Sequence, residues 1–428
     1  MGIRELNRLI QFQLQLQVAT SCFHRLKTVG GKVSFANTNG YQLDKIGDEA
    51  CSRVGKEMNS SLPRSILSTV SPYSLAFKRQ KLPLSTKLSR PISFPSISSI
   101  PTSQKSQIPL FLRPPTFTAS ASDLQKWQQW AKNLALSVGS KFVDSDNGPD
   151  TNILCREVKW LLEDAVEDKS ILPQLVSAEN GKLVRLRADL DELYRIWKQR
   201  IEERRPLQYI VGCEHWRDLV LSVQEGVLIP RPETELIVDL VSELVLEEEG
   251  LGEGIWADLG TGSGAIAIGL ARILGGGGKV IATDLSPIAV SVAEFNVKRY
   301  DLQDKVEIRH GSWFEPLEDV KGELMGVVSN PPYIPSSQII GLQAEVGKHE
   351  PRLALDGGEN GMDDLLHICE AAALMLKPGG FFAFETNGEK QSKFLLDFMT
   401  NKSVTNVQNV KVISDFSGIE RFVTGFRQ

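Results

Sequence analysis

Apolar positions along this chain change their spacing several times, and each change predicts a different element. Between residues 121 and about 205 they recur every third or fourth position. In "SDLQKWQQWAKNLALSV" Leu124, Trp127, Trp130, Leu134 and Val138 share one helical face, with Ser122 placed to cap it. "TNILCREVKWLLEDAV" and "LRADLDELYRIWKQRIEERR" repeat the pattern. The spacing predicts a small helical bundle over 123–205, its Trp and Leu residues serving as core. The text "PLQYIVGCEHWRDLVLSV" then becomes extended and β-branched, which predicts a β-hairpin linker over 206–232, stiffened by Pro230 and Pro232.

From 233 onward strands and helices alternate with short connections. Glu233 to Leu246 reads as a helix. "GIWADLG", "KVIATD", "KVEIRHGS", "LMGVVS" and "GGFFAFET" read as strands, with helices at 265–274, 287–300 and 362–376. Such alternation predicts an α/β fold, a Rossmann-like parallel sheet over 233–428 with helices on both faces. "VKVISDF" and "RFVTGFR", separated by "SGIE", predict an antiparallel hairpin at the sheet edge.

Composition changes the picture mainly at the N-terminus. The net charge of −5 divides into +11 over residues 1–122 (16 Lys and Arg, 5 Asp and Glu) and −16 over the remainder (32 and 48). From Met58 to Ser122 there is no acidic residue, and serine is frequent. Such a segment cannot build a core, and its composition matches an organelle transit peptide. Residues 1–122 are therefore expected to be a disordered leader, directed to a chloroplast or alternatively a mitochondrion. The rival reading is a basic arm for nucleic acid. An acidic body disfavours general nucleic-acid binding. The five cysteines are isolated, and no His or Cys pair has metal-ligand spacing, so no metal is expected. No window resembles a membrane span.

"ADLGTGSGAIAIGLA" places Gly260, Thr261, Gly262, Ser263 and Gly264 between a strand and a helix. Such a turn lets backbone approach a ligand closely. Asp284 ends the next strand, positioned to accept both hydroxyls of a ribose. A nicotinamide-binding turn has the spacing G-x-G-x-x-G, whereas this one is G-x-G-x-G. A ribose-bearing ligand without a phosphate fits better, which points to S-adenosyl-L-methionine.

"NPPYIP" follows "LMGVVS", so Asn330 falls at the carboxyl end of a strand, beside the glycine turn. The Asn330 side-chain oxygen and the Pro331 carbonyl can each accept one hydrogen of a planar –NH2 group. Pro331 and Pro332 remove competing donors, and the Tyr333 ring can lie on the substrate's π face, its hydroxyl incidental. The segment 334–361 has little periodicity and reads as a lid or protein-docking loop, with Glu345, Glu350 and Arg352 shaping a wall. His349 reads as a structural hydrogen-bonder.

"DLGTGSG", "ATD" and "NPPYIP" together resemble the amino-methyltransferases. "RRPLQYIVG", "LIPRPETE", "GSWFEPL", "VGKHEPRLALDGGENGMD" and "DFSGIERFVTGF" are similar, in order, to the HemK-type peptide-chain release factor glutamine N5-methyltransferases, in an organellar, plant-like form. The resemblance covers about residues 123–428. It implies that residues 260–264, Asp284, Trp313 and Asn330 contact the cofactor, and that Asn330, Pro331, Pro332 and Tyr333 hold the substrate. The implied reaction methylates the glutamine side-chain nitrogen in the Gly-Gly-Gln motif of a release factor, supporting translation termination; apart from the resemblance, a monomer is expected. Asn387 in "FETNGEKQ" departs from the family pattern, where a glycine-rich turn is expected. The chief alternative is a nucleic-acid adenine-N6 or cytosine-N4 methyltransferase, which needs a basic groove for a flipped base. An NAD-dependent oxidoreductase fits the glycine spacing poorly. A scaffold that has lost catalysis predicts damage at Asn330 or Tyr333, and both are intact.

Overall fold

The computed structural model describes residues 108–174, 182–248, 250–401 and 406–428. Most of the expected leader, 1–107, lies outside them. The helical unit begins earlier than its periodicity predicts. Leu110, in a short 3-10 turn, is fully buried, and strand β1 (Phe117–Ser120) pairs antiparallel with β2 (Leu183–Leu186). Ser120, not Ser122, caps helix α1 (Ala121–Ser137), its Oγ accepting from Asp123 N at 3.1 Å. A leader drawn to 122 therefore overreaches, because its last residues carry a strand and a helix cap.

Helices α2 (Lys141–Asp146), α3 (Thr151–Ala165) and α4 (Leu190–Glu202) complete the bundle. Asp150 and Asp189 cap α3 and α4, accepting from Ile153 N and Glu192 N at 2.7 Å each. Leu124, Trp127 and Ala131 of α1 pack with Leu154, Val158 and Leu161 of α3 and Leu193 and Trp197 of α4. The indole of Trp197 buries its apolar body and donates to Ala131 O at 2.9 Å. This core runs on through α5 (Leu207–Val211) to Cys213. The expected linker is thus half bundle: a helical turn precedes the hairpin β3 (Cys213–Trp216) and β4 (Leu219–Ser222), whose Trp216 and Leu221 join the next core.

After α6 (Glu235–Glu247) come β5 (Ile255–Leu259), α7 (Ala265–Ile273), β6 (Lys279–Asp284), α8 (Pro287–Arg299), β7 (Val306–His310) and β8 (Leu324–Ser329). The chain continues through α9 (Ala344–Gly347), α10 (Asp363–Met375), β9 (Leu376–Glu385), α11 (Glu389–Thr400), β10 (Val407–Ser414) and β11 (Glu420–Arg427). The seven strands lie in the order β10-β11-β9-β8-β5-β6-β7. Five are parallel, and the last two add the antiparallel edge hairpin expected from "SGIE".

Strand residues alternate between two cores, as a pleat of period two requires. Trp256, Val328, Phe381 and Ala383 face α6 and α7, whereas Ala257, Val327, Phe382 and Phe384 face α10 and α11. Helix α11 is not among those the spacing predicts. It buries only Ser392, Leu395 and Met399, and its exposed Phe394 blurs the apolar face. Among the described residues no helix is long and apolar enough to cross a membrane. The strand order reverses between β5 and β8, which opens a crevice beyond their carboxyl ends.

Candidate functional site

The crevice holds two adjoining cavities with Asn330 in the wall of both. The first is lined by Gly260, Thr261, Gly262, Ser263, Asp284, Trp313, Asn330 and Pro332, among others. The second is lined by Asn330, Pro331 and Tyr333, together with Asp146 and Asn147 from the end of α2 and with the segment 341–346. Every residue given a cofactor or substrate role from the sequence is in one wall or the other except Gly264. That glycine turns its missing side chain toward Ala293 of α8, where a Cβ would meet Ala293 Cα at 3.4 Å with φ at +83°. It permits helix packing below the cavity.

Local bonds shape the first cavity. Asp258, fully buried, accepts from Thr261 Oγ1 at 2.7 Å and Ala267 N at 3.0 Å through the same oxygen, and burial pushes its carboxyl up to about 7. Asp284 accepts from Gly262 N at 2.8 Å and Ser286 N at 2.9 Å, so it braces the glycine turn and the start of α8 together. Burial pushes the Asp284 carboxyl above its ordinary value as well, against the pull of those two N–H groups. Trp313 sits at φ +45°, its carbonyl held by Thr283 Oγ1 at 2.9 Å. Its ring crosses Gly260, where any Cβ would touch it at 3.4 Å. Fully buried Asn296 of α8 donates to Ser222 O and Ser263 O and accepts from Ser222 N, tying the hairpin to the glycine turn.

Long-range bonds shape the second. Asn330 Nδ2 donates to Thr234 Oγ1 at 3.0 Å, and Thr234 Oγ1 donates to Glu385 Oε2 at 2.7 Å. Tyr333 Oη donates to Glu385 Oε1 at 3.1 Å. The tyrosine hydroxyl is therefore not incidental: it is half of what satisfies a fully buried carboxylate. Burial pushes Glu385 up to about 7. Among the described residues, neither Asn330 Oδ1 nor the Pro331 carbonyl accepts a hydrogen bond. The backbone at Tyr333 is pressed by a glycine loop: a Cβ on Gly361 would lie 2.2 Å from Tyr333 O, and Gln391 Nε2 donates to that oxygen at 2.9 Å.

The segment 334–361 is fastened to the helical unit by ions. Glu345 accepts from Arg200 Nη1 at 2.9 Å and from Arg204, while Arg200 also holds Glu157 at 2.6 Å and Arg204 holds Asp146 at 2.8 Å. Arg200, Glu157 and Glu345 are all buried. Glu350 pairs with Arg231 at 2.7 Å and accepts from Ile229 N. Arg352 turns outward to Asp356 and does not shape the wall, whereas its neighbours Leu353 and Ala354 do. His349 Nε2 meets Glu203 O at 3.3 Å, the structural role expected of it.

Sequence reasoning missed Arg231, Thr234 and Glu385. The first two lie inside the quoted "LIPRPETE", and Glu385 ends the strand beside β8, where the carboxyl-end rule would have found it. Away from the site, Asp164, Cys213 and His215 bring ligand atoms within 4.8 Å of one another. Cys213 Sγ donates to Asp164 Oδ2 at 3.4 Å and His215 Nε2 lies 3.1 Å from Oδ1, so the group satisfies itself while joining α3 to β3.

Residues 232–339 match the family described as ribosomal protein L11 methyltransferase (PrmA). Among solved structures, a SAM-dependent O-methyltransferase from Thermotoga maritima is similar at 16% identity and a TM-score of 0.33, over 48% of this chain and 67% of that one. A release factor glutamine methyltransferase from Thermosynechococcus vestitus is 38% identical over 304 residues, covering 71% of this chain and 98% of the relative. Another from Synechocystis sp. is 36% identical over 309 residues, covering 71% and 96%. With likeness of that strength spanning nearly the whole length of both relatives, the chain belongs to the release factor glutamine methyltransferase family.

Proposed function

We propose that this enzyme transfers a methyl group from S-adenosyl-L-methionine to the side-chain amide nitrogen of the glutamine in the Gly-Gly-Gln motif of an organellar release factor, supporting translation termination. The carrying observation is that Asn330 stands between two cavities while its Oδ1 and the Pro331 carbonyl remain open as acceptors.

The donor set of the first cavity suits the cofactor. Gly260, Thr261, Gly262 and Ser263 bring backbone close, Asp284 offers a carboxylate to the ribose, and the Trp313 ring supplies a flat apolar cover. When bound, the cofactor supplies an electrophilic methyl on a sulfonium. Asn330 Oδ1 and Pro331 O accept the two amide hydrogens of the glutamine, which orients the nitrogen and stabilises positive charge as it develops. The Tyr333 ring, supported by Glu385, covers the amide plane. Fixed approach contributes on the order of 7–11 kcal/mol to lowering the barrier. No side chain is assigned to deprotonate the amide beforehand, and the proton leaves to water after transfer.

The helical unit, locked to 334–361, gives a folded protein a rigid surface beside the second cavity. The acid-free, serine-rich stretch from Met58 supports import into a chloroplast, with a mitochondrion as the alternative, and the two relatives from Thermosynechococcus and Synechocystis accord with the plastid. The cleavage site then precedes buried Leu110. We place the mature enzyme as a monomer that works without membrane or nucleic acid. The test is mass spectrometry of candidate organellar release factors after incubation with the enzyme and methyl-labelled cofactor. A label on the motif glutamine is the expected result. A label on adenine or cytosine instead would replace this reading with the nucleic-acid one.

A further inference from the structure

Asparagine is nearly symmetric in shape, so its oxygen and its nitrogen compete for the same position. Asn330 is useful to an amide substrate in only one orientation, with Oδ1 toward the second cavity. Packing cannot select that orientation, since the two ends have the same size. Hydrogen-bond direction can, and the surrounding groups have a definite direction. Ionised Glu385 has no proton to give, and both of its oxygens accept, one from Tyr333 Oη at 3.1 Å and one from Thr234 Oγ1 at 2.7 Å. The single hydroxyl hydrogen of Thr234 is thereby committed. Its oxygen can then only accept from Asn330, and the atom facing it at 3.0 Å is Nδ2.

Resting on the methyl-transfer reading above, we propose that Thr234 and Glu385 are positioning residues, a buried relay that turns Asn330 Oδ1 toward the substrate amide. Neither residue was assigned a role from the sequence, and they come from regions 151 positions apart. The same Glu385 holds the Tyr333 hydroxyl, so one carboxylate sets both the acceptor and the ring of the cradle.

The relay has a consequence for pH. Protonated on Oε2, Glu385 becomes a donor to Thr234, whose own hydrogen is then free to point at Asn330. The amide turns over, and its Nδ2 opposes the –NH2 of the substrate, donor against donor. The charged groups facing Glu385 are Arg421 of β11, which favours the anion, and Glu233 before α6, which disfavours it, with the Tyr333 phenol beside them. Burial outweighs Arg421 and brings the titration to about 7. Turnover then rises as pH increases through that region.

The experiment compares Thr234→Val, Thr234→Ser and Glu385→Gln with the wild type. It measures kcat and KM on an organellar release factor from pH 6 to 9 at saturating cofactor, and cofactor affinity by calorimetry. Thr234→Val keeps the shape and removes the hydroxyl. It should lower kcat about 10–100-fold with cofactor affinity within about twofold, and Thr234→Ser should restore most of the loss. Glu385→Gln, which imitates the protonated acid, should be slow at every pH and lack the rising limb near 7. Wild-type kcat in Thr234→Val, an equal defect in Thr234→Ser, or an unchanged pH profile in Glu385→Gln would each overturn the relay. A wild-type enzyme that leaves release-factor glutamine unlabelled would instead overturn the substrate assignment, and the relay with it.

Discussion

The two sides of Asn330 are built in opposite ways. On the cofactor side most bonds at the glycine turn are local, the tie from Asn296 to Ser222, 74 positions away, being the main exception. Thr261 reaches Asp258 three positions away, Ser286 reaches Asp284 two away, and Gly262 reaches Asp284 twenty-two away, across one strand–helix–strand unit. On the substrate side the partners are remote: Asn330 and Thr234 are 96 positions apart, Tyr333 and Glu385 are 52, Arg200 and Glu345 are 145, and Ala344 and Asp146 are 198. A cofactor shared by many enzymes can be held by a portable turn. On the reading proposed above, a glutamine presented by a folded protein needs several elements brought to one point, and the helical unit, the loop after β8 and the ends of β8 and β9 meet at the second cavity.

Removing the acceptor at the junction should produce the largest effect. Asn330→Ala should cut turnover by about 10²–10³ while calorimetry finds cofactor binding largely retained, as loss of a transition-state hydrogen bond does. If binding and turnover fell together, the two sides would not be separable. The ionic clamp comes next. Glu345→Ala takes one of two carboxylate partners from each of Arg200 and Arg204, leaving Glu157 and Asp146, and should cost about 3 kcal/mol in thermal or denaturant unfolding, the scale of lost charged hydrogen bonds. It should also expose 334–361 to protease, and an unchanged digestion pattern would show that the clamp does not hold the loop.

On the cofactor side Asp284→Ala should weaken cofactor binding by about 1.5–3 kcal/mol, read by calorimetry. Part of that loss reflects the freed N–H groups of Gly262 and Ser286. Tyr333→Phe should cost about 1–2 kcal/mol of stability, because it leaves a buried Glu385 oxygen without its donor. A variant as stable as the wild type would return the hydroxyl to the incidental role first expected of it.

The remaining effect is on pH. Glu385 binds its proton more tightly folded than unfolded, so between its ordinary value near 4.3 and about 7 the native state holds more protons. The stability contributed by this group therefore falls as pH rises through that window. Glu385→Gln should gain on the wild type in denaturant midpoint between pH 4 and 8, and a constant difference would contradict the assignment.

Element by element, the sheet was legible and its attachments were less so. Strands β5 to β9 and the edge hairpin announce themselves as short apolar runs between turns. Helix α11 escaped because it buries one narrow stripe, and β1 escaped because "FTAS" has only Ala119 buried. The leader's end was set too late for the same reason: composition averages over a window, whereas Leu110 and the Ser120 cap are single positions.

In the site, the glycine turn, Asp284 and "NPPY" were readable because each occupies a fixed place relative to a strand end, and strand ends follow from apolar spacing. That spacing by itself determined a parallel sheet with the glycine turn, Asp284 and "NPPY" at neighbouring strand ends. Only the tertiary structure decided which way Asn330 points, that the Tyr333 hydroxyl is bound, and that Glu345 faces inward to Arg200 and Arg204 while Arg352 faces out. Those outcomes depend on pairing between groups dozens to hundreds of positions apart. Burial makes such pairing obligatory, since an unpartnered charge or amide in the interior costs more than any local preference can offset.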